Sequence, residues 1–103
     1  MSKVTMEILK ECAPVFSMLQ DERRQEILMM LFDHGEMGVT SITERSAISR
    51  PAVSHHLKLL LDAGLIDVRQ EGKERIYKIN LQNSLKLLKS LVASIENDLA
   101  NQE

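Results

Sequence analysis

Residues 49–64 read SRPAVSHHLKLLLDAG, and this stretch predicts the helix on which the whole fold depends. Ser49 is a favourable N-cap residue, and Pro51 falls in the first turn, where a missing backbone N–H costs little. The run Asp-Ala-Gly at 62–64 should end the helix. Apolar residues recur at helical spacing along one side, at Val53, Leu57, Leu60 and Leu61. The stretch therefore predicts a short helix with one buried face and one polar face.

The polar face of this helix carries side chains that suit contacts with DNA. A helix about 10–12 Å wide fits the major groove, and its first turns reach base edges. Arg50 can donate two hydrogen bonds to guanine, Ser54 can donate or accept one, and Ala52 can lie against a thymine methyl group. We therefore predict DNA contacts from Ser49, Arg50, Ala52, Ser54, His55 and Lys58.

After this helix the spacing of the apolar residues changes from helical to alternating. Segments 65–69 (LIDVR) and 75–79 (RIYKI) flank a stretch that contains Gly72. Alternation on both sides of a glycine-containing turn predicts a β-hairpin. Lys73 and Arg75 make its tip basic, and both have the length and the charge for contacts with DNA phosphates.

Two longer helices are predicted ahead of this region. Residues 3–19 have apolar groups at helical spacing, and Pro14 should bend or split that helix because proline has no backbone N–H. Asp21 is the expected N-cap of a second helix, which the pair at 34–35, His-Gly, should end. The apolar stripe of the second helix consists of Ile27, Leu28, Leu31 and Phe32.

A connector and a short helix are predicted between the second helix and the polar one. Residues 37–39 form the connector or a minimal strand. Ser41 and Glu44 have the spacing of a capping box and predict a short helix that breaks near residues 47–48. With the hairpin and a final helix, the predicted order of elements is α-α-α-α-β-β-α.

Asn80 is the expected N-cap of a final helix with a broad apolar stripe. Its residues Leu81, Leu85, Leu88, Val92, Ile95 and Leu99 follow one another by steps of 4, 3, 4, 3 and 4. Such steps are typical of a seam between helices, and Leu87 and Leu91 widen the stripe beyond what one small domain can cover. The alternative is a terminal helix that lies flat on its own core. We predict a subunit interface formed by Leu85, Leu88, Val92, Ile95 and Leu99.

The formal net charge of −2 is distributed unevenly along the chain. Residues 1–44, 45–78 and 79–103 carry net charges of −4, +3 and −1. The basic segment contains the polar helix and the hairpin, and surface potentials act within a Debye length of roughly 8–10 Å rather than as a molecular average. The distribution favours an anionic partner, although an ordinary solvated face explains it equally well.

A short helix, a tight turn, a capped second helix and a basic hairpin describe a helix-turn-helix with a wing. The predicted fold class is mainly α with a β-hairpin wing, and the predicted assembly is a homodimer through the first and last helices. We predict one DNA-binding domain over residues 1–103. Its parts are the helix-turn-helix at about 40–63, the wing at about 65–79 and the dimerisation helices at about 3–19 and 81–100.

Length and composition limit the classes of function. A chain of 103 residues with 44% hydrophobic side chains can build one core and has little length for a second. Aromatic residues make up only 3%, which argues against stacking platforms for single-stranded nucleic acid. No apolar run approaches a membrane span and no signal-peptide core follows the N-terminus, so we expect a cytoplasmic protein without a membrane partner.

Four stretches resemble the ArsR-type winged-helix repressors. Residues 21–28 resemble the family's D-P-T-R-x-x-I-L motif, with Glu22 in place of the proline, and residues 49–58 resemble its S-x-x-x-V-S-x-H-L-K recognition helix. Residues 62–66 resemble the turn into the hairpin, and residues 69–77 resemble the wing. The resemblance implies a homodimer that binds a near-palindromic operator and releases it on a signal.

The chain departs from this family at the positions that bind metals. Gly38 and Thr40 stand where metal-sensing members often carry a C-V-C cysteine pair, and residues 80–103 contain no histidine for a ligand site on the last helix. Cys12 is the single cysteine, so an intrachain disulfide is excluded. We predict no metal site, no cofactor and metal-independent regulation, and the effector is left unknown.

Other residues receive a structural interpretation. His56 is expected to form a hydrogen bond between packed helices, and Cys12 is expected to be a small buried hydrophobe. Leu61 replaces a basic residue that relatives often carry. Four methionines are expected to fill the core or, alternatively, to line an effector cavity between the first, second and last helices: Met18, Met29, Met30 and Met37.

Three classes of function follow from these features. The favoured one is a sequence-specific, dimeric DNA-binding repressor. The alternative is a winged-helix module that binds an acidic protein through Arg50, His55 and Lys58, because a fold alone does not determine function. An enzyme is not expected, since the sequence shows no glycine-rich phosphate loop, no nucleophile elbow and no acid–base pair.

Overall fold

The helices and strands follow the pattern of apolar residues along the chain. The computed structural model describes residues 1–102, so Glu103, the last residue of the predicted domain, lies outside the described residues. Within this range there are five helices and three strands. In chain order they are α1 (Lys3–Leu19), α2 (Glu22–His34), β1 (Glu36–Gly38), α3 (Val39–Glu44), α4 (Arg50–Asp62), β2 (Ile66–Glu71), β3 (Glu74–Ile79) and α5 (Gln82–Ala100).

Local caps determine where α2 and α4 begin and end. The Asp21 carboxylate accepts hydrogen bonds from the backbone N–H groups of Arg23 and Arg24, at 2.8 and 3.2 Å. Ser49 Oγ accepts from the N–H of Ala52 at 3.4 Å, and Pro51 lies in the first turn of α4. Gly35 ends α2 with a φ of 80°, which glycine adopts without the cost that other residues incur. These four predictions are confirmed.

One predicted helix break and two predicted N-caps do not form. The helix α1 is not split at Pro14 and runs from Lys3 to Leu19, because its packing on α5 compensates for the lost backbone hydrogen bond. The helix α3 begins at Val39, so Ser41 lies inside it and the capping box with Glu44 does not form. Asn80 does not cap α5 either, since its amide donates to both carboxylate oxygens of Asp67, each at 3.1 Å.

The three strands form one antiparallel sheet with the order β1-β3-β2. The strands β2 and β3 form the hairpin, with Val68 opposite Tyr77, and β1 pairs on the other edge of β3, with Met37 opposite Tyr77. The predicted order of elements omits β1, which the sequence left open between a connector and a strand. Three residues are too few for an alternating pattern to be visible.

The core lies between α2, α3, α4 and the sheet. Its completely buried side chains include Ile27, Leu31, Ile42, Val53, Leu57, Leu60, Leu65 and Ile66. Among the methionines, Met37 is buried, Met18 and Met30 are partly buried against the core, and Met29 is exposed. Phe32, predicted as part of the buried stripe of α2, is instead 62% exposed, and it lines a surface cleft together with Ile79 of β3 and Leu85 of α5.

The helices α1 and α5 pack side by side in opposite directions. Near one end of the pair, the completely buried Thr5 hydroxyl donates to the Asp98 carboxylate at 2.7 Å and contacts Ser94 Oγ. Further along, Cys12 is completely buried and its thiol donates to the Leu87 carbonyl at 3.9 Å. The molecule measures 57 × 23 × 21 Å, so it is markedly elongated.

Candidate nucleic-acid interface

The helix α4 is divided into a buried side and an exposed side. Val53, Leu57 and Leu60 are completely buried in the core. The residues predicted to contact DNA lie on the other side or at the start of the helix, and all are exposed except Ala52, which is half-buried. We use the term recognition face for the predicted DNA contacts on α4 and the wing: Ser49, Arg50, Ala52, Ser54, His55, Lys58, Lys73 and Arg75.

The cations of the recognition face are not neutralised by neighbouring carboxylates. Within residues 1–102, none of the side chains of Arg50, Lys58, Lys73 and Arg75 forms an ion pair. Their charges remain available to an anionic partner, for which phosphate contacts are the dominant source of affinity.

Arg50 is the first residue of α4, and its side chain bridges the two helices of the helix-turn-helix. Its Nη1 donates to Thr40 Oγ1, in the first turn of α3, at 3.0 Å. Thr40 was not predicted to contact Arg50, because nothing in the local pattern indicates a contact between residues ten positions apart on different helices.

The wing places two cations at its tip and neutralises a third at its base. Lys73 follows Gly72 in the turn, where a φ of 63° requires glycine, and Arg75 lies opposite Gln70. Arg69, in contrast, forms ion pairs with both Glu71 and Glu36. Hydrogen bonds to Glu71 and then to Glu36 raise the pKa of the Arg69 guanidinium above its ordinary value. Within residues 1–102, two cations of the wing thus have no ion pair, whereas Arg69 is held by carboxylates.

The side chains of Ser49, His55 and His56 differ in their exposure and in their hydrogen bonds. Ser49 Oγ is engaged as the N-cap acceptor, although its proton can still be donated. His55 is exposed and its ring centroid lies 5.8 Å from that of His56. Nδ1 of His56 is buried and has no hydrogen-bond partner among the described residues. The hydrogen bond predicted for His56 is therefore not formed by this atom.

Leu61, for which the sequence suggested no role, packs at the junction of α4 and the wing. It is partly buried against the core, and it lines a cleft of about 450 Å³ together with Val68 and Ile76 of the hairpin. A basic side chain here would lose this apolar contact, so the structure accounts for the leucine by burial.

Potential metal ligands do not converge in the part of the chain that the structure describes. No group of three His, Cys, Asp or Glu side chains within residues 1–102 is arranged to hold an ion. Burial, and secondarily the charge of Glu11, raises the pKa of the Cys12 thiol, which disfavours the reactive thiolate.

A second exposed surface is apolar and lies mainly on α5. Leu85, Val92 and Leu99 recur one heptad apart on α5 and are 51%, 56% and 60% exposed. Leu88 and Ile95 are half-buried, whereas Leu91 is buried. The fold thus leaves three of the five predicted interface residues exposed and covers the other two in part.

This surface continues into a groove between α1, α2 and α5. The groove has a volume of about 660 Å³, and its lining includes Leu19, Met29, Phe32, Leu85 and Leu88. Phe32 was predicted to belong to the buried stripe of α2, whereas Met29 was predicted to fill the core or, alternatively, to line a cavity between the first, second and last helices. We use the term apolar face for the five predicted interface residues on α5 together with Met29 and Phe32.

No helix within residues 1–102 combines the length and the apolarity that a bilayer-crossing segment requires.

Comparison with known proteins is consistent with this geometry. Residues 21–68, which extend from the start of α2 to the middle of β2, match the family described as "Bacterial regulatory protein, arsR family". The chain is 34% identical over 80 residues to the arsenical resistance operon repressor of Bacillus subtilis (strain 168), covering 78% of this chain and 76% of that protein. It is also 34% identical over 88 residues to the transcriptional repressor SdpR of the same organism, covering 82% and 97%. This chain belongs to the arsR family.

Solved structures of arsR-family proteins have the same fold. An ArsR-like transcriptional regulator from Rhodococcus sp. RHA1 aligns with a TM-score of 0.74 at 32% identity, covering 89% of each chain. A possible ArsR-family regulator from Mycobacterium bovis, described as a homodimeric winged helix-turn-helix DNA-binding domain, aligns with a TM-score of 0.70 at 25% identity, covering 100% of this chain and 95% of that one. The predicted winged helix-turn-helix fold and family are confirmed, and this arsR-family chain is a transcriptional regulator.

Proposed function

We propose that this arsR-family protein is a dimeric repressor that binds a near-palindromic operator in double-stranded DNA. The observation that carries the proposal is the recognition face: a helix whose apolar side is completely buried presents its polar side together with cations that have no ion pair in the described chain. A helix of this kind suits the major groove, and a wing beside it suits the neighbouring backbone.

The residues of the recognition face have two different roles in this proposal. Arg50, Ala52, Ser54 and His55 lie in the first turns of α4, from which side chains reach base edges. Ser49 and Lys58, with the wing residues Lys73 and Arg75, contact the phosphate backbone and orient the helix.

The apolar face forms the dimer interface in this proposal. Exposed leucine and valine side chains one heptad apart are typical of helices that pack on a second copy. Contiguous apolar patches of this kind are uncommon on monomers. The homodimeric state of the Mycobacterium bovis neighbour supports the same assembly here. The interface is built from α1 and α5, and Met29 and Phe32 of α2 extend it. Its residues on α5 are Leu85, Leu88, Val92, Ile95 and Leu99.

The proposed repressor works without a metal or another cofactor and has no catalytic site. Glycine and threonine stand at positions 38 and 40, where metal-sensing members often have cysteines, and the last helix has no histidine. The regulator would act in the cytoplasm, where its DNA is, and its effector is not assigned.

Fluorescence anisotropy with two labelled DNAs tests the proposal. The purified protein is titrated against DNA from the region upstream of its own coding sequence and against a scrambled duplex, at two salt concentrations, with EDTA or with zinc. We expect a preference for the upstream DNA of roughly 10³-fold or more, with the same affinity under both metal conditions. Weak and equal binding to both duplexes would favour the protein-binding module instead, and a requirement for zinc would refute metal independence.

A further inference from the structure

Thr40 connects the recognition helix to the wing through two contacts. Its Oγ1 accepts a hydrogen bond from Nη1 of Arg50 at 3.0 Å. Its backbone N–H donates to Oε1 of Glu74, the first residue of β3, at 3.4 Å. Thr40 therefore lies between the side chain proposed to read a base and the hairpin proposed to contact the backbone.

The contact with Thr40 leaves the guanidinium of Arg50 able to read a base. A guanidinium carries five N–H donors in a rigid plane, and Thr40 uses one on Nη1. Within the described residues the edge formed by Nε and Nη2 makes no hydrogen bond, and two parallel donors on one edge match the acceptors of guanine. A side chain held in this way loses less conformational freedom when it binds DNA.

Glu74 supplies the N-terminal cap that α3 lacks. The N-cap residue, Gly38, has no side chain, so it cannot satisfy the free N–H groups of the first turn. A Cβ atom at position 38 would overlap the Glu74 carboxylate, so the glycine also provides the space that this carboxylate occupies. The backbone of Gly38 has a φ of −79°, which any residue adopts, and its small size is therefore the relevant property.

We infer that Thr40 is a positioning residue for Arg50, held in place by Glu74, and that these two residues tune sequence discrimination without reading bases themselves. The inference rests on the proposed function, because it assumes that Arg50 reads a base. It assigns a role to the two positions, 38 and 40, at which the chain departs from metal-sensing relatives.

A double-mutant cycle in the anisotropy assay tests the link between Thr40 and Arg50. Thr40→Val removes the hydroxyl while keeping the shape. We expect it to lower the ratio of affinities for specific and scrambled DNA by about 3- to 10-fold, the range of one net hydrogen bond. Affinity for scrambled DNA should stay unchanged. In the Arg50→Ala background the same substitution should have no further effect.

Thr43→Val is the matched control, since Thr43 Oγ1 bonds only to the Val39 carbonyl of its own helix within the described chain. An equal loss on both DNAs would assign Thr40 to a phosphate contact. If Thr40→Val lowers the affinity ratio as much in the Arg50→Ala background as in the wild-type protein, Thr40 acts independently of Arg50. Either result overturns the inference.

Gly38→Ala tests the role of Glu74 without changing any charge. The new methyl group should displace the Glu74 carboxylate and, like Thr40→Val, lower the ratio of affinities for specific and scrambled DNA. In the double variant, Gly38→Ala with Thr40→Val, the loss of free energy of discrimination should be smaller than the sum of the two single losses. Glu74→Gln provides a second variant, with Glu44→Gln at the exposed end of α3 as a control of equal charge change. If Gly38→Ala and Glu74→Gln both keep the wild-type ratio of affinities for specific and scrambled DNA, Glu74 does not hold Thr40 in place and that part of the inference is refuted.

A DNA-free measurement separates this inference from the proposed function. The Nε–H resonance of Arg50, observed by ¹⁵N relaxation, should report a rigid side chain in the wild-type protein and a mobile one in Thr40→Val. The proposed function requires the wild-type protein to bind specific DNA more tightly than scrambled DNA. Only the inference requires the Arg50 side chain to be more mobile in Thr40→Val than in the wild-type protein. Equal mobility in the two proteins would refute the inference even if the wild-type protein binds its operator specifically.

Discussion

The recognition face and the apolar face are both exposed, but they expose opposite kinds of side chain. The recognition face presents cations and hydrogen-bonding groups at the start of α4 and at the tip of the wing. The apolar face presents leucine, valine and phenylalanine side chains, of which Phe32 is 62% and Val92 is 56% exposed. Charged side chains are well solvated without a partner, whereas a continuous apolar surface is not.

This difference predicts opposite responses to salt. Binding through cations weakens as salt increases, because fewer counterions are released. Association through apolar surface has no such dependence and is strengthened by kosmotropic salts. The two faces can therefore be tested separately in one protein.

Val92→Glu should have the largest effect, because it introduces a charge without a partner at the centre of the apolar face. The proposed dimer should dissociate, and specific DNA affinity should fall by 100-fold or more, on the order of the cost of a buried unpaired charge. Val92 is preferable to the half-buried Leu88, since a change at an exposed position spares the core of the protomer. Sedimentation velocity measures the change in mass.

Ser90→Glu is the matched control for this substitution. Ser90 is exposed on the same helix, and two residues of separation place it about 200° around the helix from Val92. The control should remain dimeric. If Val92→Glu sediments like the wild-type protein, α5 packs only within its own protomer and the dimer proposal fails.

Arg50→Ala should cost about 1–3 kcal/mol on the specific DNA and relax the preference at one base pair. The physical reason is the loss of a two-donor contact with a base edge, which scrambled DNA does not offer in register. A competition assay with single-base variants of the operator measures the change. If the substitution weakens specific and scrambled DNA equally, Arg50 contacts the backbone rather than a base.

Lys73→Ala and Arg75→Ala should weaken binding to all sequences alike. Each removes one phosphate contact, so each should reduce the slope of log K against log salt by about 0.9. Arg69→Ala is the control from the same hairpin, because Glu36 and Glu71 already neutralise this cation. A larger loss for Arg69→Ala than for the tip residues would contradict the assignment of the wing tip to phosphate.

The smallest expected effect concerns acid stability and Asp98. Hydrogen bonds from the Ser2 backbone N–H and then from the Thr5 hydroxyl lower the pKa of the Asp98 carboxyl. Since the folded state favours the ionised form, its contribution to stability is present above the unfolded pKa of about 3.9 and is lost as the pH falls further, through the lower folded pKa. Asp98→Asn should flatten the dependence of the free energy of unfolding on pH below about 4.

Urea titrations at several pH values measure this dependence. Asp33→Asn is the control, because Asp33 is exposed on α2 and accepts no hydrogen bond from the described residues. An unchanged acid dependence in Asp98→Asn would mean that the cluster around Thr5 does not favour the charged carboxylate.

The sequence predicted those elements whose signals are local. Ser49, Pro51 and the stripe from Val53 to Leu60 lie within a few turns, so their pattern determines α4 without reference to the rest of the chain. Asp21 and Gly35 determine α2 in the same way. The exposed α5 residues were also predictable, because a stripe too wide for one domain must leave part of itself uncovered.

The predictions that failed depend on contacts between distant residues. Asn80 looks like a cap in sequence, yet its amide bonds to Asp67 in a strand. Phe32 has the spacing of a core residue, but no element of the protomer covers it. The contact between Arg50 and Thr40, and that between Arg69 and Glu36, join segments whose proximity is determined by the tertiary fold. Periodicity and capping rules contain no information about such pairs.

The burial of Tyr77 has a spectroscopic consequence. The chain has one tyrosine and no tryptophan, and this tyrosine is 7% exposed in the central strand, between Met37 and Val68. The tyrosine band of the near-ultraviolet circular dichroism spectrum, which lies at longer wavelength than the bands of the two phenylalanines, therefore reports on a single ring at the attachment of the wing to the core. Tyr77 lies outside the apolar face, so dissociation of subunits should leave this band unchanged while unfolding abolishes it. An unlabelled sample thus distinguishes a folded protomer from an unfolded chain.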